Sequence, residues 1–119
     1  MPEVSTAGLS ANANYDIITT KNKLFIIKEY SYAWSGLAAG KFLEITGNNF
    51  GVSTPSGYTA IGFLWFTSGT TSTSICAIRP GNTGTYSVAV IRNEGTATAS
   101  GTAKIDIVYA LTTCINDTR

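Results

Sequence analysis

The sequence predicts an all-β chain, an antiparallel β-sandwich of jelly-roll type, and three observations carry that expectation. Apolar residues fall into six or seven short runs, alternating or continuous, each closed by Gly, Asn, Pro or a Ser/Thr cluster. No window keeps apolar residues at i, i+3, i+4 and i+7 through three helical turns without a glycine or a β-branched interruption. The chain holds 18 Thr, 11 Ser, 12 Gly and 8 Asn; the branched Cβ of Thr suits a pleated surface, while Gly and Asn suit the turns between strands. Short strands joined by such turns build sandwiches and barrels.

The elements follow in order. Met1 to Asn22 are polar, with scattered apolar residues at Val4, Leu9, Tyr15, Ile17 and Ile18, and read as an N-terminal arm or linker (1–22) ahead of one domain (23–119). Leu24 to Ile27 are apolar at every position, as in a strand covered on both faces. The strand runs on into Tyr30, Tyr32 and Trp34, whose spacing of two places them on one face. After Gly36 and Gly40, Phe42, Leu43 and Ile45 mark a second strand, closed by a turn at Gly47-Asn48-Asn49. A third, Ala60 to Phe66, is apolar on both sides and so expected to be central, with Trp65 in the core. Ser74 to Arg79 form a fourth, ended by Pro80-Gly81-Asn82-Thr83-Gly84. In the fifth, Tyr86, Val88 and Val90 alternate with Ser87, Ala89 and Ile91, and Val88 is expected to point inward. After the turn Arg92-Asn93-Glu94-Gly95, Lys104 to Leu111 form the last strand, with Ile105, Ile107, Tyr109 and Leu111 on one face. No repeat of 20 to 50 residues is visible, which argues against a propeller or solenoid.

At 119 residues and 12.5 kDa the chain suits a single domain, and 44% hydrophobic content supplies its core. Charged residues are 13%, about half the usual share, and the net charge is +1. That balance argues against nucleic acid, whose binding needs a dense basic patch, and against a polybasic membrane-surface partner. No apolar run approaches the roughly 18 residues of a membrane-inserted helix, and Met1 to Ser10 lack the pattern of a secretory signal.

Chemistry has little to work with. The absence of His rules out Ser-His-Asp and Cys-His triads, His-zinc sites and histidine pH switches. Cys76 and Cys114 are too few and too far apart for a metal knuckle or a CxxC pair, so no metal and no cofactor is expected. They could form one disulfide, but Cys76 sits in an apolar strand pattern that suits a reduced, buried thiol. An acid/base pair would have to come from Asp16, Glu29, Glu44, Glu94 and Asp106; Glu29, Glu44 and Asp106 lie in strands, where two could meet across a sheet. They read instead as solvent-facing residues of alternating strands, and no catalytic residue is assigned: the chain is not expected to be an enzyme. No nucleophile elbow, phosphate loop or calcium loop occurs. Asn116-Asp117-Thr118 matches a glycosylation sequon.

The aromatics are the remaining candidates. Tyr30, Tyr32 and Trp34 form a ladder that could stack on a sugar ring or meet a protein partner, and the same ladder could be core or lie between subunits. Arg79 and Arg92 flank turns and could share one end of the molecule.

The stretch Asn49-Phe50-Gly51-Val52-Ser53-Thr54-Pro55-Ser56-Gly57-Tyr58-Thr59-Ala60-Ile61-Gly62 resembles a pattern in bacteriophage tail-fibre proteins, where an extended segment leads through Pro-x-Gly-Tyr into an apolar strand. Ala60 stands where many of that family carry Pro. Ser87 to Asn93, Glu94-Gly95-Thr96 and then Ala103 to Ala110, with the pair Val108-Tyr109, resemble the same family's ending. The resemblance runs from Phe25 to Leu111. It implies a receptor-binding head at the end of a homotrimeric fibre, part of a virion and acting outside the host cell, with a bacterial surface glycan or protein receptor as partner. The arm 1–22 would then join a shaft. A free-standing carbohydrate-binding or adhesin module, and a structural baseplate or decoration protein, are the alternative readings.

Overall fold

The computed structural model describes residues 24–79 and 83–116. The expected arm, the tip of the Pro80–Gly84 turn and the end of the sequon lie outside these residues. The chain is all-β, with strands β1 (Phe25–Leu37), β2 (Phe42–Thr46), β3 (Tyr58–Thr67), β4 (Thr73–Ile78), β5 (Ser87–Asn93) and β6 (Ala99–Leu111). Two short helices, α1 (Gly47–Phe50) and α2 (Thr112–Asn116), follow β2 and β6. The strands form two three-stranded antiparallel sheets, β1-β6-β3 and β2-β5-β4. Four of the five links between consecutive strands pass from one sheet to the other.

Alternation along β6 sets the core. Ala103, Ile105, Ile107 and Tyr109 are fully buried, and Tyr30 and Ile26 of β1 lie opposite Ile105 and Tyr109. In the other sheet Ile45 of β2 faces Ala89 of β5, and Leu43 faces Ile91. Buried side chains from both sheets make one cluster, in which Tyr30, Trp34, Ile45, Phe50, Ile91 and Ile105 all take part.

Polar groups inside this cluster are satisfied, as burial demands. Asn93, fully buried at the crossover from β5 to β6, donates through Nδ2 to Leu37 O at 2.9 Å and to Ala97 O at 2.8 Å. Its Oδ1 accepts from Gly95 N at 2.9 Å. One amide therefore ties the end of β1 to the chain entering β6. The crossover after β2 is made by α1: Thr46 Oγ1 accepts from Asn49 N at 3.2 Å, Asn49 Oδ1 accepts from Thr46 N at 2.9 Å, and Gly51 ends the turn at φ 70. The Gly47-Asn48-Asn49 turn of the sequence is thus one helical turn.

Three expectations need correction. The third strand is an edge, not the centre: β6 is central, and β3 pairs on one side only. Two register shifts in β3, between Ala60 and Gly62 and between Phe63 and Trp65, each insert one residue, and together they restore the original parity. Trp65 lies opposite Asp106 on the outer face, 47% exposed instead of in the core, because that face of the sheet is left uncovered. Cys76 is exposed and free, the extra residue at a bulge between Ile75 and Ala77 of edge strand β4, where alternation from Ile75, opposite the inward Ile91, also turns it outward; Cys114 is also exposed and free. In β5 the regular inward face is Ala89, Ile91 and Asn93, while Tyr86 is exposed; Val88 is buried as expected, but as the residue inserted between the Ala89 and Ser87 pairs.

A carboxylate at Val88 would be buried without a partner. Val88→Asp should lower stability by several kcal/mol, on the order of 3 or more, read as a lost or strongly depressed thermal transition; an unchanged melting temperature would show that this bulge is open to water.

Candidate functional site

Tyr30, Tyr32 and Trp34 do share one face of β1, and it is the inner face. Tyr30 and Trp34 are 8% and 4% exposed, and Tyr32 is half-buried against the same cluster. As a ligand platform the ladder is corrected: the rings that would stack on a sugar are packed on Ile105, Ala103 and their neighbours. The parity is set by β6, whose Ile105 and Ala103 lie opposite Tyr30 and Tyr32.

Their polar atoms hold loops in place. Trp34 Nε1 donates to Ser68 O at 2.8 Å, fixing the start of the β3–β4 connection. The neighbouring Gly69 has φ +91, and a Cβ there would lie 2.4 Å from the backbone N and O of Thr102, so only glycine fits between the connection and β6. The Tyr30 hydroxyl donates to Ser53 O at 3.0 Å and accepts from Ser53 N at 3.3 Å. Lys28 Nζ also donates to Ser53 O, at 3.1 Å. Tyr30 and Tyr109 share a buried hydroxyl–hydroxyl hydrogen bond of 2.9 Å. Burial pushes the Tyr109 phenol well above its ordinary range, the hydrogen bond with Tyr30 adds to this, and one with Thr54 opposes it.

The remaining predicted residues do not converge. Glu29 and Asp106 face each other across β1 and β6 on the outer side, as two strand carboxylates could, but Glu29 is exposed on an open sheet and Glu44 belongs to the other sheet. Arg79 and Arg92 are not at one end. Arg79 N donates to Val88 O, whereas Arg92 lies opposite Phe42 and Ser74; four residues of strand put them roughly 13 Å apart along β5.

The outer face of β1-β6-β3 is the unusual surface of the molecule. Successive cross-strand rows read Ile27–Val108–Gly62, then Glu29–Asp106–Trp65, then Ser31–Lys104–Thr67. Phe25 and Ile27 are more than half exposed there, and Ile61 and Leu64, the residues inserted at the β3 bulges, are also exposed. Sequence reasoning missed this face. The run Leu24 to Ile27 was expected to be covered on both sides; its odd positions are open instead. The signal was present in the apolar residues at both parities of β1 and β3, but nothing in the chain says which cover is supplied from within.

Comparison with family models, with curated proteins and with solved structures returns no match. Among the described residues no helix is long and apolar enough to cross a membrane.

The Tyr109 phenol stays neutral in the fold above the pH at which it ionises in the unfolded chain, near 10. Its contribution to stability is therefore complete below about pH 10 and is lost as pH rises further. Ultraviolet titration of phenolate should show that Tyr109→Phe removes the most alkaline ionisation step. Persistence of that step would place the perturbed phenol elsewhere.

Proposed function

We propose that the chain is the head domain of a bacteriophage tail fibre: a β-sandwich that assembles as a homotrimer and attaches the virion to a bacterial surface receptor, carbohydrate in the first instance. A sandwich is supported by the single cluster shared by both sheets and by links that alternate between them. The host-attachment part rests on the resemblance around Asn49–Gly62 and Ser87–Ala110.

The observation that carries the assembly is the outer face of β1-β6-β3. Phe25, Ile27 and Trp65 are each about half exposed on it, and Ile61 and Leu64, inserted at the β3 bulges, are exposed on the same edge strand. Side chains of this size leave on the order of 100 Å² each in water, about 300 Å² for the three that the register places on this face. That is a large share of the apolar portion of the roughly 800 Å² each partner contributes to a standard interface, and the size of patch that marks an interaction surface. The occupant that fits is a second copy of this chain. Lys104 shares the face with Glu29 and Asp106, so one copy offers both signs of charge to the next, and a net charge of +1 leaves little mutual repulsion. Three copies around an axis close such a contact without leaving a free face.

A charge at Ile27 sits on the outer face, away from the core. Ile27→Asp should keep the β circular-dichroism spectrum, reduce the mass in solution to that of one chain, and weaken attachment of labelled protein to intact host bacteria by tenfold or more through lost multivalency. An Ile27→Asp protein that keeps the wild-type mass would remove this face from the assembly, and wild-type protein that binds no bacterial cell across a host panel would overturn the attachment role.

A further inference from the structure

The outer face of β2-β5-β4 holds a second group of side chains that neither the core nor the apolar sheet face uses. Arg92, on central strand β5, lies opposite Phe42 on one side and Ser74 on the other, so the three stand in one row. Phe42 is 63% exposed. The Arg92 guanidinium carbon stands over one face of its ring, 5.7 Å from the centre, and the side chain stays mostly in water. Glu94 pairs with the Arg92 guanidinium through Oε1, and its Oε2 accepts a hydrogen bond from Ser74 Oγ at 2.7 Å. Gly40 borders the group: a Cβ there would come within 3.7 Å of Arg92 Nη2.

Stability does not explain this arrangement. An ion pair this exposed contributes little once water screens it, and an aromatic ring left mostly in water contributes less than a buried one. Its position, however, is firmly held. Asn93, between Arg92 and Glu94, is the fully buried amide of the crossover, its N donates to Lys41 O at 3.0 Å, and its O accepts from Gly40 N at 2.8 Å. Side chains on both sides of Asn93 are therefore carried by backbone that packing and hydrogen bonds fix, as a binding site requires.

We propose that Phe42, Ser74, Arg92 and Glu94 form a binding site for one neutral hexose ring of a surface polysaccharide. This inference rests on the receptor-binding reading above and names the residues and the ligand class. A hexose presents an apolar C–H face, which matches the open ring of Phe42. Its neighbouring hydroxyls both donate and accept, which matches a donor-only guanidinium beside an acceptor-only carboxylate. The Arg92–Glu94 pair is formally neutral, so no excess positive charge is left for a carboxylated sugar. A single open site of this kind binds weakly, and useful attachment comes from several copies acting together.

The test titrates the protein with methyl glucoside, methyl galactoside and methyl mannoside, with methyl glucuronide as the anionic control, and follows binding by ligand-observed NMR. The same preparations are tested for attachment to bacterial cells. Wild type should bind at least one neutral hexoside in preference to the glucuronide, and Phe42→Ala and Glu94→Gln should each weaken that binding at least tenfold while keeping the wild-type mass and circular dichroism. Glu94→Gln retains the shape of the side chain and serves if Phe42→Ala fails to fold. Hexoside binding unchanged in both variants overturns the site and leaves the receptor role standing. Tighter binding of the glucuronide overturns the ligand class. Attachment to cells with no hexoside binding also overturns this site, whereas loss of both in wild type removes the receptor reading with it.

Discussion

A three-stranded sheet cannot stand alone in water with one apolar face, and the inner face of β6 shows how this chain meets that constraint. Ala103, Ile105, Ile107 and Tyr109 must be covered, and the cover comes from Tyr30 and Trp34 beside them together with Ile45, Val88 and Ile91 of the other sheet. The links that carry the chain between sheets are held by buried polar groups. Asn93 secures the return to β6, the Tyr30–Tyr109 hydroxyl pair secures the segment around Ser53, and Trp34 secures Ser68. Each of these groups would cost free energy if left unpaired, so the loops have little freedom to rearrange without opening the core.

The same constraint makes the opposite side of that sheet informative. Once the inner face takes the even positions of β1, the odd positions Phe25 and Ile27 are left outward beside Val108 and Trp65. The other sheet differs: its outer face carries Phe42, Glu44, Ser74 and Arg92, a mixture of charge, hydroxyl and one ring. One outer face is thus apolar enough to meet another copy, and the other has the composition of a surface that meets a hydrated ligand. This division of labour joins the proposed assembly to the proposed attachment.

Much of the strand pattern was legible because alternation is strict where only one face is buried. Ile105, Ile107 and Tyr109 announced the inner face of β6, and the shared face of Tyr30, Tyr32 and Trp34 was read from spacing alone. What spacing could not reveal was which face of β1 is inward, since Leu24 to Ile27 are apolar at both parities. Bulges were equally hidden. A one-residue insertion leaves no mark in composition, yet bulges made Ile61, Leu64, Cys76 and Val88 inserted residues, and Trp65 is exposed because nothing within the chain covers the outer face of its edge strand. The candidate site was missed for a related reason: Phe42 and Arg92 are fifty residues apart in the chain, and only the β2–β5 register makes them neighbours.

If copies of this chain close the apolar face of β1-β6-β3, the mass of the unmodified protein by light scattering, at two well-separated concentrations, should be stable near three times 12.5 kDa. A mass of one chain at both concentrations, with native β circular dichroism, would leave that face open and overturn the proposed assembly.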